Sequence, residues 1–155
     1  MQDILIGNKK VGTCHKPFVI AEISGNHGGS KDRAMELIKA VSHTGAGAVK
    51  FQTYTPDTIT INSSRKEFLI NDKKSLWYGR NLYDLYDEAH TPWEWHKDMF
   101  QYAAELGLEV FSSPFDTTAV DFLEDLNVSA YKIASLEVGD VQLIKKVAKT
   151  KKPLI

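Results

Sequence analysis

The chain has 155 residues, a formal net charge of -1 and 43% hydrophobic residues, which describes one ordinary folded domain rather than a disordered, collagenous or membrane chain. Lysines and arginines are scattered among acidic residues with no basic stripe, which argues against a nucleic-acid partner and makes any anion binding local. Its one cysteine, Cys14, can form no intrachain disulfide, no secretory signal precedes Lys10, and no apolar run approaches the ~20 residues a bilayer needs, so no membrane is expected and the cytoplasm is the expected location.

Two short apolar runs, 4–6 and 11–13, flank Gly7-Asn8-Lys9-Lys10 and predict a small hairpin ahead of the main fold. A strand-then-helix pattern follows. Residues 18–23 are mostly apolar without alternation, as in a strand buried on both faces of a parallel sheet. Ala34, Leu37, Ile38 and Val41 recur at helical spacing over 32–44, with Ser30 as N-cap and Gly45 as stop. Residues 48–54 read as the second strand, but its helix is delayed to about Pro92. The connection, residues 55–91, exceeds the roughly 15 residues of an ordinary loop, which marks a functional lid or binding loop. Trp77, Tyr78, Tyr83 and Tyr86 suggest that it packs partly on itself, and 82–89 predict a short helix.

A helix over 93–106 stops at Gly107, and 108–115 read as the third strand, closed by Pro114. Thr117 or Thr118 caps a helix over 119–126, 130–135 read as the fourth strand, 141–149 as the fourth helix, and 152–155 open a fifth strand. Four βα units plus the start of a fifth match about half of an eight-fold (β/α)₈ TIM barrel of about 250 residues. Residues 1–155 are therefore read as the N-terminal part of such a barrel. An open doubly-wound sheet of five strands is the rival, although the first loop, residues 24–29, lacks the G-x-G-x-x-G spacing of its dinucleotide-binding form.

Each strand carries charged or hydroxyl residues near its C-terminal end: Glu22, then Lys50 and Gln52, then Ser112 and Ser113, then Lys132 and Ser135. In parallel strands these ends gather on one face, where both architectures place active sites. Lys50 and Gln52, two apart, point the same way. A lysine among apolar neighbours such as Val49 and Phe51 is costly unless an anion meets it, which favours a bound carboxylate or phosphate. Two plainer readings stand beside this: lysines that snorkel to water, and a Glu22 that merely pairs with one of them. His27 reads as a turn histidine at the surface, and neither it nor His90 and His96 has metal-ligand spacing. Trp93, Trp95 and Phe100 read as helix packing rather than a stacking platform.

Taken in order, Ala21-Glu22-Ile23-Ser24-Gly25-Asn26-His27-Gly28-Gly29, Val49-Lys50-Phe51-Gln52-Thr53-Tyr54, Phe111-Ser112-Ser113-Pro114-Phe115-Asp116 and Tyr131-Lys132-Ile133-Ala134-Ser135-Leu136-Glu137 resemble the sialic acid synthase family. Segments 55–60 and 82–96 resemble its pseudaminic acid branch. The resemblance implies condensation of phosphoenolpyruvate with an open-chain N-acetylated amino sugar, here 2,4-diacetamido-2,4,6-trideoxy-altrose, giving a nine-carbon 2-keto acid and phosphate. It implies that Lys50 and Ser113 hold the carboxylate of phosphoenolpyruvate and that Lys132 and Ser135 hold its phosphate. Glu22 and Gln52 would contact the sugar, Glu137 would line the same site, and Glu22 is the candidate for proton transfer.

The resemblance further implies a divalent metal, manganese or magnesium, held by histidines of later strands outside this chain. It also implies a homodimer in which a C-terminal antifreeze-like domain lends an arginine to the partner's site. On that implication the second half-barrel and the antifreeze-like domain lie beyond residue 155, and the chain alone is expected to be inactive. Two further readings stay open: an N-acetylneuraminate or legionaminate synthase, decided by the long second loop, and a non-catalytic anion-binding half-barrel with edge strands prone to self-association.

Overall fold

The computed structural model describes residues 3–155; Met1 and Gln2, the start of the segment read above as carrying no signal, lie outside the described residues. Strands β1 (Ile4–Ile6) and β2 (Lys9–Val11) pair antiparallel. Their turn is shorter than expected, two residues rather than four, because Gly7 adopts the left-handed φ of +56° that tight hairpin turns need. A side chain at Gly7 would also collide with the Glu109 carboxylate, which accepts a hydrogen bond from the Asn8 amide at 2.9 Å. The hairpin is thereby fastened to the start of a barrel strand, with Ile6 buried in the core.

Beyond the hairpin come β3 (Ile20–Glu22), α1 (Lys31–Ser42), β4 (Ala48–Thr53), α2 (Pro56–Ile59), α3 (Leu82–Ala89), α4 (Trp93–Glu105), β5 (Glu109–Pro114), α5 (Thr117–Asp125) and α6 (Val141–Lys149). Short polar side chains start several of these helices: Ser30 accepts from the Arg33 amide, and Asp140 from the Leu143 amide. On α5 the cap is Asp116, not Thr117 or Thr118. Its two carboxylate oxygens accept from the Thr118 and Ala119 amides at 2.9 and 3.1 Å, two of the orphan donors at the helix start.

Strands β3, β4 and β5 are parallel and adjacent in that order, with Glu22 opposite Lys50 and Gln52 opposite Ser113. The sheet continues through single parallel bridges from Ser112 to Tyr131 and from Tyr131 to Leu154. The strands expected over 130–135 and 152–155 are therefore reduced to one bridging residue each, Tyr131 and Leu154; the ladder runs on to Ile133, whose amide donates to the Ile155 carbonyl at 3.0 Å, and the backbone then closes a 3-10 turn, Ser135–Glu137. Five strand positions laid side by side in chain order, with no reversal, are the arrangement of a barrel, whereas a doubly-wound sheet reverses at a switch point. The fold is α/β, a partial (β/α)₈ barrel preceded by a β-hairpin.

The layer between sheet and helices is apolar. Phe51 of β4 stacks on Phe100 of α4 with centroids 5.6 Å apart, and Ile38, Met99, Leu123, Leu143 and Val147 fill the same cluster. Each such fully buried side chain contributes about 1.5–3 kcal/mol, enough in sum to hold strands whose other face is polar. Trp93 stacks on Phe122 at 4.7 Å and Trp95 lies edge-on to His27, so the α4 aromatics pack the helix, as their spacing predicts.

Candidate active site

Alternation along β4 sends Lys50 and Gln52 to the face opposite Phe51 and Thr53, and the register brings Glu22 and Ser113 to that same inner face. Lys50 is buried, 7% exposed, ion-paired with Glu22, and donates to Ser113 Oγ at 3.4 Å. The plain pairing that the sequence left open is therefore present. Ser24 extends it: its hydroxyl donates to Glu22 Oε1 at 2.8 Å and accepts from Gln52 Nε2 at 2.9 Å. Ser24 holds a left-handed φ of +46°, a conformation that costs a non-glycine residue of order 1–3 kcal/mol. That backbone turn carries the hydroxyl between the amide and the carboxylate. No sequence signal marked Ser24, because neither its φ nor the strand register is legible in a string of residues.

Lys132 enters from the neighbouring strand position, where its amide donates to the Ser112 carbonyl at 3.3 Å. It is half-buried and has no carboxylate partner among the ion pairs of the described residues. Burial pushes the Lys50 ammonium below its usual range; Glu22 pulls it back, and the charge of Lys132 pushes it further down. The Tyr131 hydroxyl reaches the Val120 carbonyl and Glu124 on the helix side, so alternation turns Lys132, the next residue, toward the inner face. Two ammonium groups against one contacting carboxylate make a place where an added anion is favoured.

Ser135 does not join this cluster. It is exposed at the start of the 3-10 turn, and no side-chain hydrogen bond links it to Lys50, Ser113 or Lys132. Glu137, at the end of the turn, comes back toward Lys132. Burial raises its carboxyl above the usual range while Lys132 opposes the shift, and its Oε2 is buried with no hydrogen-bond partner.

Two histidines given no role by the sequence prove to be structural anchors. His27 is fully buried, not a surface turn residue: Gly29 N–H donates to its Nδ1 at 3.1 Å, which leaves Nε2 to donate to Thr91 Oγ1 at 3.0 Å. Behind the sheet, His96 Nδ1 donates to the Pro92 carbonyl at 3.2 Å, its Nε2 accepts from the Thr53 hydroxyl at 3.0 Å, and Thr53 accepts from Ser112 at 2.7 Å. Burial depresses His96 to about 4, so it is a neutral base in this relay.

The connection 55–91 is ordered rather than structureless: α2, a 3-10 turn Lys66–Phe68 and α3 lie within it. It closes over the strand ends. Gly25 passes so near the Ala89 carbonyl that a Cβ would lie 2.6 Å from it. Between the two segments a cavity of about 400 Å³ is bounded by Ser24 and Gln52 on the sheet side and by Trp77, Leu85 and Tyr86 above. No three His, Cys, Asp or Glu side chains among the described residues gather as a metal site, and no helix among them is long and apolar enough to cross a membrane.

Residues 37–155 match the NeuB family. The chain belongs to the NeuB family. Lys50, Gln52, Ser113, Lys132, Ser135 and Glu137 fall inside the matched span, and Glu22 and Ser24 precede it. This NeuB-family chain is 48% identical over 150 residues to the pseudaminic acid synthase of Campylobacter jejuni serotype O:2, covering 97% of the chain and 43% of that protein. It is 35% identical over 150 residues to the N,N'-diacetyllegionaminic acid synthase of Legionella pneumophila, covering 96% of the chain and 41% of that protein. The solved N-acetylneuraminic acid synthetase of Leptospira borgpetersenii, in complex with citrate, matches with a TM-score of 0.82 at 25% identity, over 99% of this chain and 48% of that one. The chain spans less than half the length of these relatives.

Proposed function

We propose that the protein is a phosphoenolpyruvate-dependent nonulosonic acid synthase of the pseudaminic acid type. It would condense phosphoenolpyruvate with 2,4-diacetamido-2,4,6-trideoxy-altrose. The observation that carries the reading is the inner-face cluster at the C-terminal ends of parallel strands, where buried Lys50 meets Ser113 and a half-buried Lys132 faces them without an ion-pair partner. Lys50 and Ser113 hold the substrate carboxylate, and Lys132 holds the phosphate toward the turn that carries Ser135. Hydrogen bonds of ammonium groups to such an anion are roughly twice as strong as neutral ones.

In the reaction, C3 of phosphoenolpyruvate attacks the aldehyde carbon and a C–C bond forms. Water adds at C2, the C2–O bond to phosphate breaks, and inorganic phosphate leaves as the keto group forms. Glu22 and Gln52 contact the sugar, and Glu137 lines the same space. Glu22, tied to Lys50 and Ser24 and still 38% exposed in its side chain, is the group to which we assign proton transfer. A divalent metal acting as a Lewis acid belongs to the same proposal. In this proposal the metal is held by histidines of later strands, and the residues named here bind, orient and exchange protons. The protein would work as a cytoplasmic homodimer.

The pseudaminic acid type is preferred over the legionaminic one because identity to the former relative is 48% against 35%. The test is phosphate release from phosphoenolpyruvate by the full-length protein, offered the altrose acceptor or N-acetylmannosamine. Release with the altrose compound is expected; release only with N-acetylmannosamine, or with neither, contradicts the proposal.

A further inference from the structure

The cavity above Gln52 is divided in its chemistry. Ser24, Asn26 and Gln52 present hydroxyl and amide groups on the sheet side, while Trp77, Leu85 and Tyr86, all from the connection 55–91, present apolar surface opposite. Its volume, about 400 Å³, falls within the roughly 300–1,000 Å³ of small-molecule sites. The apolar side is held in place. Tyr54, buried just past the end of β4, packs edge-on against Tyr86 at 5.8 Å and against Phe115 at 5.3 Å, and the close approach of Gly25 to Ala89 fixes the end of α3. Trp77 is half exposed at the rim, with 50% of its surface free although it is the largest side chain in the segment.

The polar side is continuous with the anion cluster, because Gln52 and Ser24 lead through Glu22 to Lys50. A molecule in the cavity therefore lies beside whatever the lysines hold. A sugar with hydroxyls all round would leave some of them against Leu85 and Trp77 with no partner. A sugar whose polar groups lie on one edge and whose methyl groups lie on the other suits both sides.

We infer that Trp77, Leu85 and Tyr86 are specificity-determining residues, a wall that receives the deoxy carbon and acetamido methyl groups of the acceptor sugar while Gln52 and Ser24 bond its polar edge. This rests on the function proposed above and adds to it the part of the chain that chooses the sugar. The wall distinguishes acceptors by their apolar substituents, and each methyl-sized contact is worth about 10–200-fold in discrimination.

The test is steady-state kinetics of the full-length protein with the altrose acceptor and with N-acetylmannosamine, for Leu85→Asn, Trp77→Ala and the volume-conserving Leu85→Met. In Leu85→Asn and Trp77→Ala the KM for the altrose acceptor is expected to rise about tenfold or more, its advantage over N-acetylmannosamine to shrink, and the KM for phosphoenolpyruvate to stay at the wild-type value. Leu85→Met should behave as wild type. An unchanged acceptor KM in both disruptive variants overturns the inference, and so does a parallel rise in both substrates' KM, which would mark the segment as general scaffold. If the unmutated protein releases no phosphate with the altrose acceptor, the proposed function has failed first; wild-type activity with that acceptor and indifferent variants defeat the wall alone.

Discussion

On the helix side of β4, Thr53 sits in a closed relay with Ser112 and His96; on the inner side, one residue away, Gln52 and then Lys50 belong to a chain of contacts that stops short of closure. The helix-side relay is fully buried and neutral, and each of its three side chains has a partner for its available donor or acceptor. The inner side is charged and partly open. Lys132 lacks an ion-pair partner among the described residues, Glu137 Oε2 has no hydrogen bond, and Glu22 is more than a third exposed. Both groups are polar residues near strand ends, so polarity alone does not separate them. Completeness of pairing does: a satisfied polar group inside a protein holds structure, and an unsatisfied one leaves a place for something else.

The sharpest way to break this contrast on the helix side is pH. His96 is held at about 4 by burial against an ordinary value of 6.5. Its folded value lies below its unfolded one, so the unfolded chain takes up the proton first. Stability from this group is full above about pH 6.5 and is lost as pH falls toward about 4, by about 3 kcal/mol. His27, lowered by burial and by His90, adds loss in the same direction. Urea unfolding at about pH 7 and about pH 4.5 should show the loss, and His96→Leu should remove most of it. An equal loss in that variant would mean that His96 is not the neutral base of the relay.

A smaller effect is expected from Thr53→Val. It keeps the shape but removes the hydroxyl that joins Ser112 to His96, and should cost about 1–3 kcal/mol of stability. Affinity for phosphoenolpyruvate should be unaltered, since Thr53 faces away from Lys50. Weaker binding of phosphoenolpyruvate by this variant would show that the two faces of the strand are not independent.

The strand-helix alternation, the Ser30 cap, the limits of α6 and the shared direction of Lys50 and Gln52 were all legible, because period, caps and alternation are local properties of sequence. The limits of legibility were non-local. The apolar run 130–135 reads as a strand, yet only Tyr131 forms bridges, the last ladder hydrogen bond is that of Ile133, and Ser135 begins a 3-10 turn. Whether Glu22 meets Lys50 depends on register between strands, which alternation does not fix. The relay could have been suspected, since Thr53 shares the face of Phe51, and His96 lies one helical turn before Phe100, which packs on Phe51. The role of His27 depended on Thr91, 64 residues away, and that of Ser24 on a left-handed φ.

The most direct test of the inner face is calorimetric binding of phosphoenolpyruvate to the full-length protein, comparing wild type with Lys50→Ala and Lys132→Ala. Losing a charge-assisted hydrogen bond of roughly 1.5–3 kcal/mol should weaken binding about tenfold to a hundredfold in each variant. Wild-type affinity in both would contradict the account, for it would show that the two lysines converge on the inner face without holding the anion.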